Sequence, residues 1–149
     1  MMSSGRISAL AASLLLAACS AGGTDSSGET TVTAADTQSY SGIGAQETVH
    51  FTGTEPFWGG QVSGKTLTYQ TPDDRAGQIL TVGRFAGRNG ISFSADLGGQ
   101  PFVLAVTPGK CSDGMSDRAY PFTVTLQVHG GQRQGCAWSD KHPMTGAPS

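Results

Sequence analysis

The feature that most constrains this 149-residue chain is an alternation of apolar and polar residues that begins at Glu47, runs to Trp138 and is broken at intervals by glycine turns. Side chains on an extended strand point alternately to opposite faces, so a repeat of two buries one face and wets the other. The pattern is clearest from Ile91 to Leu97, where Ile91, Phe93, Ala95 and Leu97 share a face, and from Phe122 to Val128, where Phe122, Val124, Leu126 and Val128 do. Val49 with Phe51, Leu67 with Tyr69, and Phe102 with Leu104 and Val106 repeat it. The run Gln78 to Phe85 is ambiguous: Leu80 and Val82 share one face, Ile79 and Phe85 the other, and a bulge near Gly83 would reconcile them. With 22 glycines and only 13% charged residues, the composition favours short strands and tight turns over helices.

The turns set the order of the strands. Asn89-Gly90, Gly98-Gly99 and Gly130-Gly131 are two-residue signals whose positive backbone angles suit a twisted antiparallel hairpin, and Ser63-Gly64-Lys65 is a three-residue version. Strands are expected at 47–53, 57–62, 66–71, 78–86, 90–97, 100–107, 121–129 and 132–138. About eight strands in simple hairpin succession predict an all-β fold, a small antiparallel up-and-down barrel, with a β-sandwich as the alternative. The interior of such a barrel is filled by its own side chains or holds one small ligand.

Upstream the composition changes. Met1 to Arg6 carries one positive charge, and Ile7 to Ala18 is an uncharged apolar run, shorter than the ~20 residues needed to cross a bilayer core. Such a run, with small residues at its end, fits a secretory signal peptide over 1–18. The ending Leu16-Ala17-Ala18-Cys19 resembles the lipobox of bacterial lipoproteins. That resemblance implies a diacylglycerol on the Cys19 sulfur, acylation of its new amino terminus and stable membrane anchoring. Ser20, standing where bacterial sorting rules place Asp for inner-membrane retention, implies the outer membrane, facing the periplasm. From 19 to 46 the chain is mostly Gly, Ser, Thr and Ala with Asp25, Glu29 and Asp36 and no Lys or Arg; its only large apolar residues, Val32, Tyr40 and Ile43, are too few to offset chain entropy, which predicts a disordered acidic linker. A flexible linker of this length spans ~30 Å root-mean-square. The last residues, 139–149, are expected to form a flexible tail.

With Cys19 lipidated, Cys111 and Cys136 remain as an even pair in an oxidising compartment, which predicts a disulfide. Closing the loop between them is worth ~3.5 kcal/mol by loop-closure entropy. No second nearby Cys or His is spaced to complete a metal tetrahedron, and the residues imply no metal and no cofactor.

Two stretches resemble the shared motifs of a family of uncharacterised bacterial envelope lipoproteins. They are Phe51-Thr-Gly-Thr-Glu-Pro-Phe-Trp58, and Cys111-Ser-Asp-Gly-Met-Ser-Asp-Arg-Ala-Tyr-Pro121 closed by Gly135-Cys136-Ala137. The resemblance spans Val49 to Ala137 and implies location and fold, that family having no established activity. In size and layout the chain is also similar to the membrane-bound inhibitors of c-type lysozyme.

Candidate binding residues follow from these stretches. Pro56 holds Glu55 extended, and neighbours on a strand face opposite ways, so Phe57 and Trp58 cannot both enter one core. One reading is a plug at the barrel end. The other is an aromatic platform beside the Glu55 carboxylate for a sugar or peptide. Asp113 to Asp117 is rich in groups that bond their own backbone in a tight loop, with calcium as the alternative reading. Arg118 closes the same loop, and Lys110 and Ser112 flank Cys111, placed to enter an acidic cleft such as a lysozyme's. His50 and His129 fall on polar faces, His142 lies in a Pro/Gly tail, and no Ser or Cys sits in a nucleophile turn, so no enzyme is expected. A formal net charge of -2 with few, scattered basic residues gives no reason to expect nucleic acid. The expectation is a lipid-anchored envelope protein acting as a non-catalytic binding or structural module with an unknown envelope ligand or protein, or alternatively a periplasmic inhibitor of c-type lysozyme.

Overall fold

Hairpin after hairpin, the alternating runs fold into β1 (Val49–Thr54), β2 (Phe57–Ser63), β3 (Thr66–Gln70), β4 (Gln78–Thr81), β5 (Gly83–Ala86), β6 (Ile91–Leu97), β7 (Gln100–Cys111), β8 (Tyr120–Val128) and β9 (Gly131–Ser139). This computed structural model describes residues 38–147. The expected signal peptide, Cys19 and the linker as far as residue 37 lie outside the described residues. The chain divides into two units, Met1–Thr31 and Val32–Ser149, and all the described residues belong to the second.

All strand pairs are antiparallel, in the order β4-β3-β2-β1-β9-β8-β7-β6-β5. The two ends of that order, β4 and β5, are consecutive in the chain and separated only by Val82. One extended run therefore gives its first half to β3 and its second half to β6, which nearly closes an up-and-down barrel. The Val82 N–H donates to the Lys65 carbonyl at 2.9 Å, one step beyond the last β3–β4 pair, Thr66 with Thr81. Nine strands thus replace the expected eight because 78–86 is split at this hand-off. Alternation continues straight through it: Leu80 and Val82 face the core while Ile79 and Phe85 stand outside.

The alternation assigns the core correctly elsewhere. Val49, Phe51, Val62, Leu67, Phe102, Leu104, Val106, Val124 and Leu126 are at most 1% exposed. Three turns differ from expectation. Ser63 pairs with Thr66, so the β2–β3 turn is the two residues Gly64-Lys65 rather than three. Val128 pairs with Gly131, so the β8–β9 turn is His129-Gly130, both residues at positive φ (50° and 73°), rather than Gly130-Gly131. Ala86 pairs with Ile91, so Asn89-Gly90 belongs to a four-residue loop closed by the Gly87 N–H on the Gly90 carbonyl.

The folded body extends past the alternating region at both ends. Ile43, in the stretch expected to be linker, is 2% exposed in the core, its carbonyl receives the Arg84 guanidinium at 2.7 Å, and the Tyr40 N–H donates to the Gly87 carbonyl. Of the expected flexible tail, Ser139 ends β9 and Thr145 exchanges both backbone bonds with Ala119. Neither end carries the run of large apolar residues that marks a packed segment from sequence; Ile43 and Tyr40 pack on the core at one end, and backbone pairing and polar side-chain contacts hold the other.

Candidate functional site

The β1–β2 hairpin places the first motif. Thr54 pairs with Phe57 across a turn made by Glu55 and Pro56, joined by a cis peptide, and Gly53 pairs with Trp58. Alternation then separates the aromatic pair: Phe57 is 54% exposed on the outer face and Trp58 4% exposed on the inner face. What admits the indole is glycine. A methyl group built at Gly53 would lie 2.2 Å from Trp58 Nε1 and Cε2, and one at Gly135 would lie 2.9 Å from Cζ2. The indole lies across these two bare positions with the Phe51 ring centred 5.9 Å away, and it fills the end of the barrel. Burying such a side chain stabilises the fold by about 3 kcal/mol. Its Nε1–H is buried with no hydrogen-bond partner, which costs ~1–3 kcal/mol.

Outside the same strands lies a groove. Thr52 pairs with Gly59, and Gly59 with Gln70, so these three form one row across β1, β2 and β3. Gly59 leaves the row without a side chain at its centre. A hollow of about 430 Å³ forms there, walled by Phe57 and by the Thr71, Pro72 and Arg75 segment that follows β3, with Gly53 and Trp58 also lining it. The Gln70 amide holds that segment by donating to the Arg75 carbonyl at 2.9 Å. A second hollow of about 460 Å³ shares Thr52, Gly59 and Gln70 and reaches His50, Gln61, Thr68 and Trp138. His50 and Trp138 are stacked at 5.2 Å with 17° between their planes, and His50 Nε2 lies 3.2 Å from an Asp140 carboxylate oxygen.

The second motif meets the first at Thr52. A third hollow, about 280 Å³, is lined by Thr52, Gly53 and Thr54 on one side and by Ser112, Asp113 and the Cys111–Cys136 disulfide on the other. The disulfide, with Cα atoms 5.6 Å apart, ties the end of β7, past an irregularity between Pro108 and Cys111, to β9. Asp113 organises the loop beyond it. Its carboxylate accepts the Met115 and Ser116 N–H groups at 3.0 and 2.9 Å, the Ser116 hydroxyl at 2.7 Å and the Tyr120 hydroxyl at 2.9 Å. These bonds, the Met115 amide foremost, hold the Asp113 carboxyl well below the usual carboxylate range. The aspartate is thus spent on its own loop. Among the described residues no group of three or more His, Cys, Asp or Glu is placed to hold a metal ion.

Of the residues expected at a site, Phe57 and Trp58 line the first hollow and Ser112 and Asp113 the third. Glu55 is exposed at the hairpin tip, and Lys110, Asp117 and Arg118 line none of the three hollows. The sequence reading missed Thr52, Gly59, Gln70, Arg75, His50 and Trp138. One signal was present: Gly59-Gly60 inside a strand marks a place where something approaches the backbone closely.

At the other end of the barrel Glu47, Ser139 and His142 meet. The Ser139 hydroxyl, 1% exposed, donates to Glu47 Oε1, and His142 Nδ1 lies 3.2 Å from that hydroxyl and 3.3 Å from Oε1. A catalytic relay places hydroxyl and carboxylate on different imidazole nitrogens. Here one nitrogen faces both and the serine is buried, so the cluster ties β9 and the tail to the segment before β1. Burial pushes the Glu47 carboxyl up. Bonds from Ser139, the Gly44 amide and His142 outweigh it and hold the group below the ordinary range.

In comparisons with known proteins the chain matches no family model, no curated protein and no solved structure.

Proposed function

We propose that this chain is a lipid-anchored protein of the bacterial cell envelope that binds an envelope ligand, without chemical turnover, in the groove around Thr52. The observation that carries the reading is the convergence of the two motifs. Residues 52–54 of the first and 112–113 of the second, far apart in the chain, line one hollow, and the same Thr52 continues it into the Phe57 hollow. Hydroxyls and amides beside an exposed ring suit a saccharide or an extended peptide, whose apolar faces stack and whose polar edges need partners. The ending Leu16 to Cys19 supports attachment through Cys19, and Ser20 supports the outer membrane facing the periplasm.

The test uses the chain from Ser20 onward, which keeps all nine strands and the disulfide. Soluble envelope fragments added to it are expected to move the amide resonances of Thr52, Phe57, Gly59 and Gln70. An unchanged spectrum at those positions overturns the reading. Mass spectrometry of membrane-extracted protein is expected to find acyl chains on Cys19.

A second reading, inhibition of a c-type lysozyme, is favoured by one observation: Lys110 and Ser112 are both exposed on either side of the disulfide-held Cys111. It predicts salt-dependent slowing of cell-wall lysis that Lys110→Ala removes. Undiminished lysis at micromolar protein ends it.

A further inference from the structure

Phe85 is 69% exposed on the outer face of β5 and lines none of the hollows around Thr52. The outer-face row of Phe85, Ser92 and Ala105 and the next, of Gly83, Ser94 and Val103, are without charge across β5, β6 and β7. A hollow of about 230 Å³ lies against the ring, with Gly87, Gly90, Ala105 and Thr107 among its walls. The carbonyl of the same Gly87 accepts the Tyr40 N–H at 2.7 Å, so the chain coming from Cys19 joins the folded body beside this ring. The twenty residues from Ser20 to Ser39 would average ~25 Å end to end as a coil.

Basic residues that are scattered along the chain are gathered by the meander at that same end. Successive turns of an up-and-down sheet lie at alternate ends. The Gly64-Lys65 turn, the 87–90 loop and the residues after β9 therefore share an end with the incoming chain, and Glu55, the 71–77 loop and Gly98-Gly99 share the other. The first end carries exposed Lys65, Arg88 and Lys141 and the half-buried Arg84; of its acids, Glu47 is buried and Asp140 faces His50. Around the β7–β8 connection Lys110 and Arg118 are balanced by Asp113 and Asp117. The opposite end carries Glu55, Asp73, Asp74 and Asp96 against Arg75 and Arg133. The barrel is thus electrically polar, and its basic end is the one the anchored chain reaches.

We propose that this end docks on the anionic surface of the membrane that holds the anchor, with Phe85 entering the boundary between headgroups and acyl chains and Lys65, Arg88 and Lys141 meeting lipid phosphates. The inference rests on the anchor at Cys19 and goes beyond the groove reading. An aromatic ring set in an uncharged surface enters that boundary with little polar desolvation, and each cation beside an anionic surface adds its own increment of attraction. The anchor supplies proximity: a tether of this length holds the barrel over the surface at about millimolar effective concentration, so a contact too weak to form from free solution becomes populated. Docked this way, the Glu55 end and the Phe57 hollow beside it point away from the lipid, toward the ligands of the periplasm.

The experiment uses the chain from Ser20 onward, which contains every described residue and no acyl chain. Its amide resonances are followed with bicelles of phosphatidylcholine alone and with bicelles containing about one-third phosphatidylglycerol. The expected result is a response at Lys65, Phe85 and Arg88 to the anionic bicelles that weakens as salt is raised, little response to the neutral ones, and none at Thr52 and Phe57. Phe85→Ser, which alters an exposed side chain, is expected to weaken the association about tenfold, and Lys65→Gln about fivefold. Resonances of Lys65, Phe85 and Arg88 that stay still, or that move equally with neutral bicelles, overturn the proposal. A Phe85 resonance that shifts with protein concentration in the absence of lipid, together with a dimer in sedimentation, gives this face to a second copy of the chain and overturns it too. The anchor and the docking fail separately. Acyl chains on Cys19 without a response to anionic bicelles remove the docking alone, and a response to the bicelles in a protein whose Cys19 carries no acyl chain removes the anchor alone.

Discussion

At the scale of the residue, two glycines decide which aromatic ring goes inside. Alternation requires Phe57 and Trp58 to part company and is silent about which enters. The bare inner positions at Gly53 and Gly135 settle it in favour of the larger ring. Gly135→Ala would place a methyl group 2.2 Å from the Thr52 carbonyl oxygen, an immovable backbone atom, and 2.9 Å from the indole. It is expected to destabilise the fold by ~2–3 kcal/mol in denaturant unfolding. Phe57→Ser, by contrast, removes an exposed ring and is expected to shift stability by less than ~0.5 kcal/mol while abolishing binding in the groove. Equal loss of stability in both variants contradicts this assignment of faces. Glu47 adds a pH dependence. Its folded pKa is held below the ordinary 4.5, so the stability it contributes is full above that value and is lost as pH falls through the folded value. Thermal midpoints of the wild type are expected to fall as the pH drops into the acid range below that ordinary value. Glu47→Gln should be less stable at neutral pH and show a shallower acid slope.

At the scale of the element, the hairpins could be read locally and the seam could not. Strand ends lie within a residue or two of their expected bounds wherever a short turn joins two alternating runs, whereas β7, expected to stop at 107, runs on to Cys111 through the irregularity after Pro108. Val82 is different: alternation runs through it unbroken, so nothing in the pattern says that Gln78–Thr81 pairs back onto β3 while Gly83–Ala86 pairs forward onto β6. His129 misled for another reason. A non-glycine residue at positive φ is uncommon, and the adjacent Gly130-Gly131 offered an easier turn one residue later. The disulfide is an element-scale staple that holds the end of β7 against β9. Its removal in the Cys111→Ser, Cys136→Ser double variant is expected to cost ~3.5 kcal/mol, with a thermal midpoint lower by roughly 10 °C or more. An unchanged midpoint would mean that the β7–β8 pairing alone orders the loop.

At the scale of the whole molecule, the barrel is capped by segments that look like tether and tail. Ile43 seals one end, Trp58 lies at the other, and Glu47, Ser139 and His142 bind the segment before β1 to the end of β9 and the residues after it. Ile43→Ala is expected to cost ~2–4 kcal/mol by calorimetry, the value of a fully buried side chain. A loss under ~0.5 kcal/mol would be the mark of a surface residue and would refute the cap. What the sequence by itself determined is the set of faces: period-two alternation is a local property, and it already specified an all-strand meander and most of the core, while counting cysteines pointed to the sulfur pair. Closure at Val82, the caps and the groove around Thr52 were decided only in three dimensions. The hand-off at Val82 leaves the alternation unbroken, the caps and the groove join residues distant in the chain, and at Gly53, Gly59 and Gly135 the deciding fact is an absent side chain, which carries no periodicity to read.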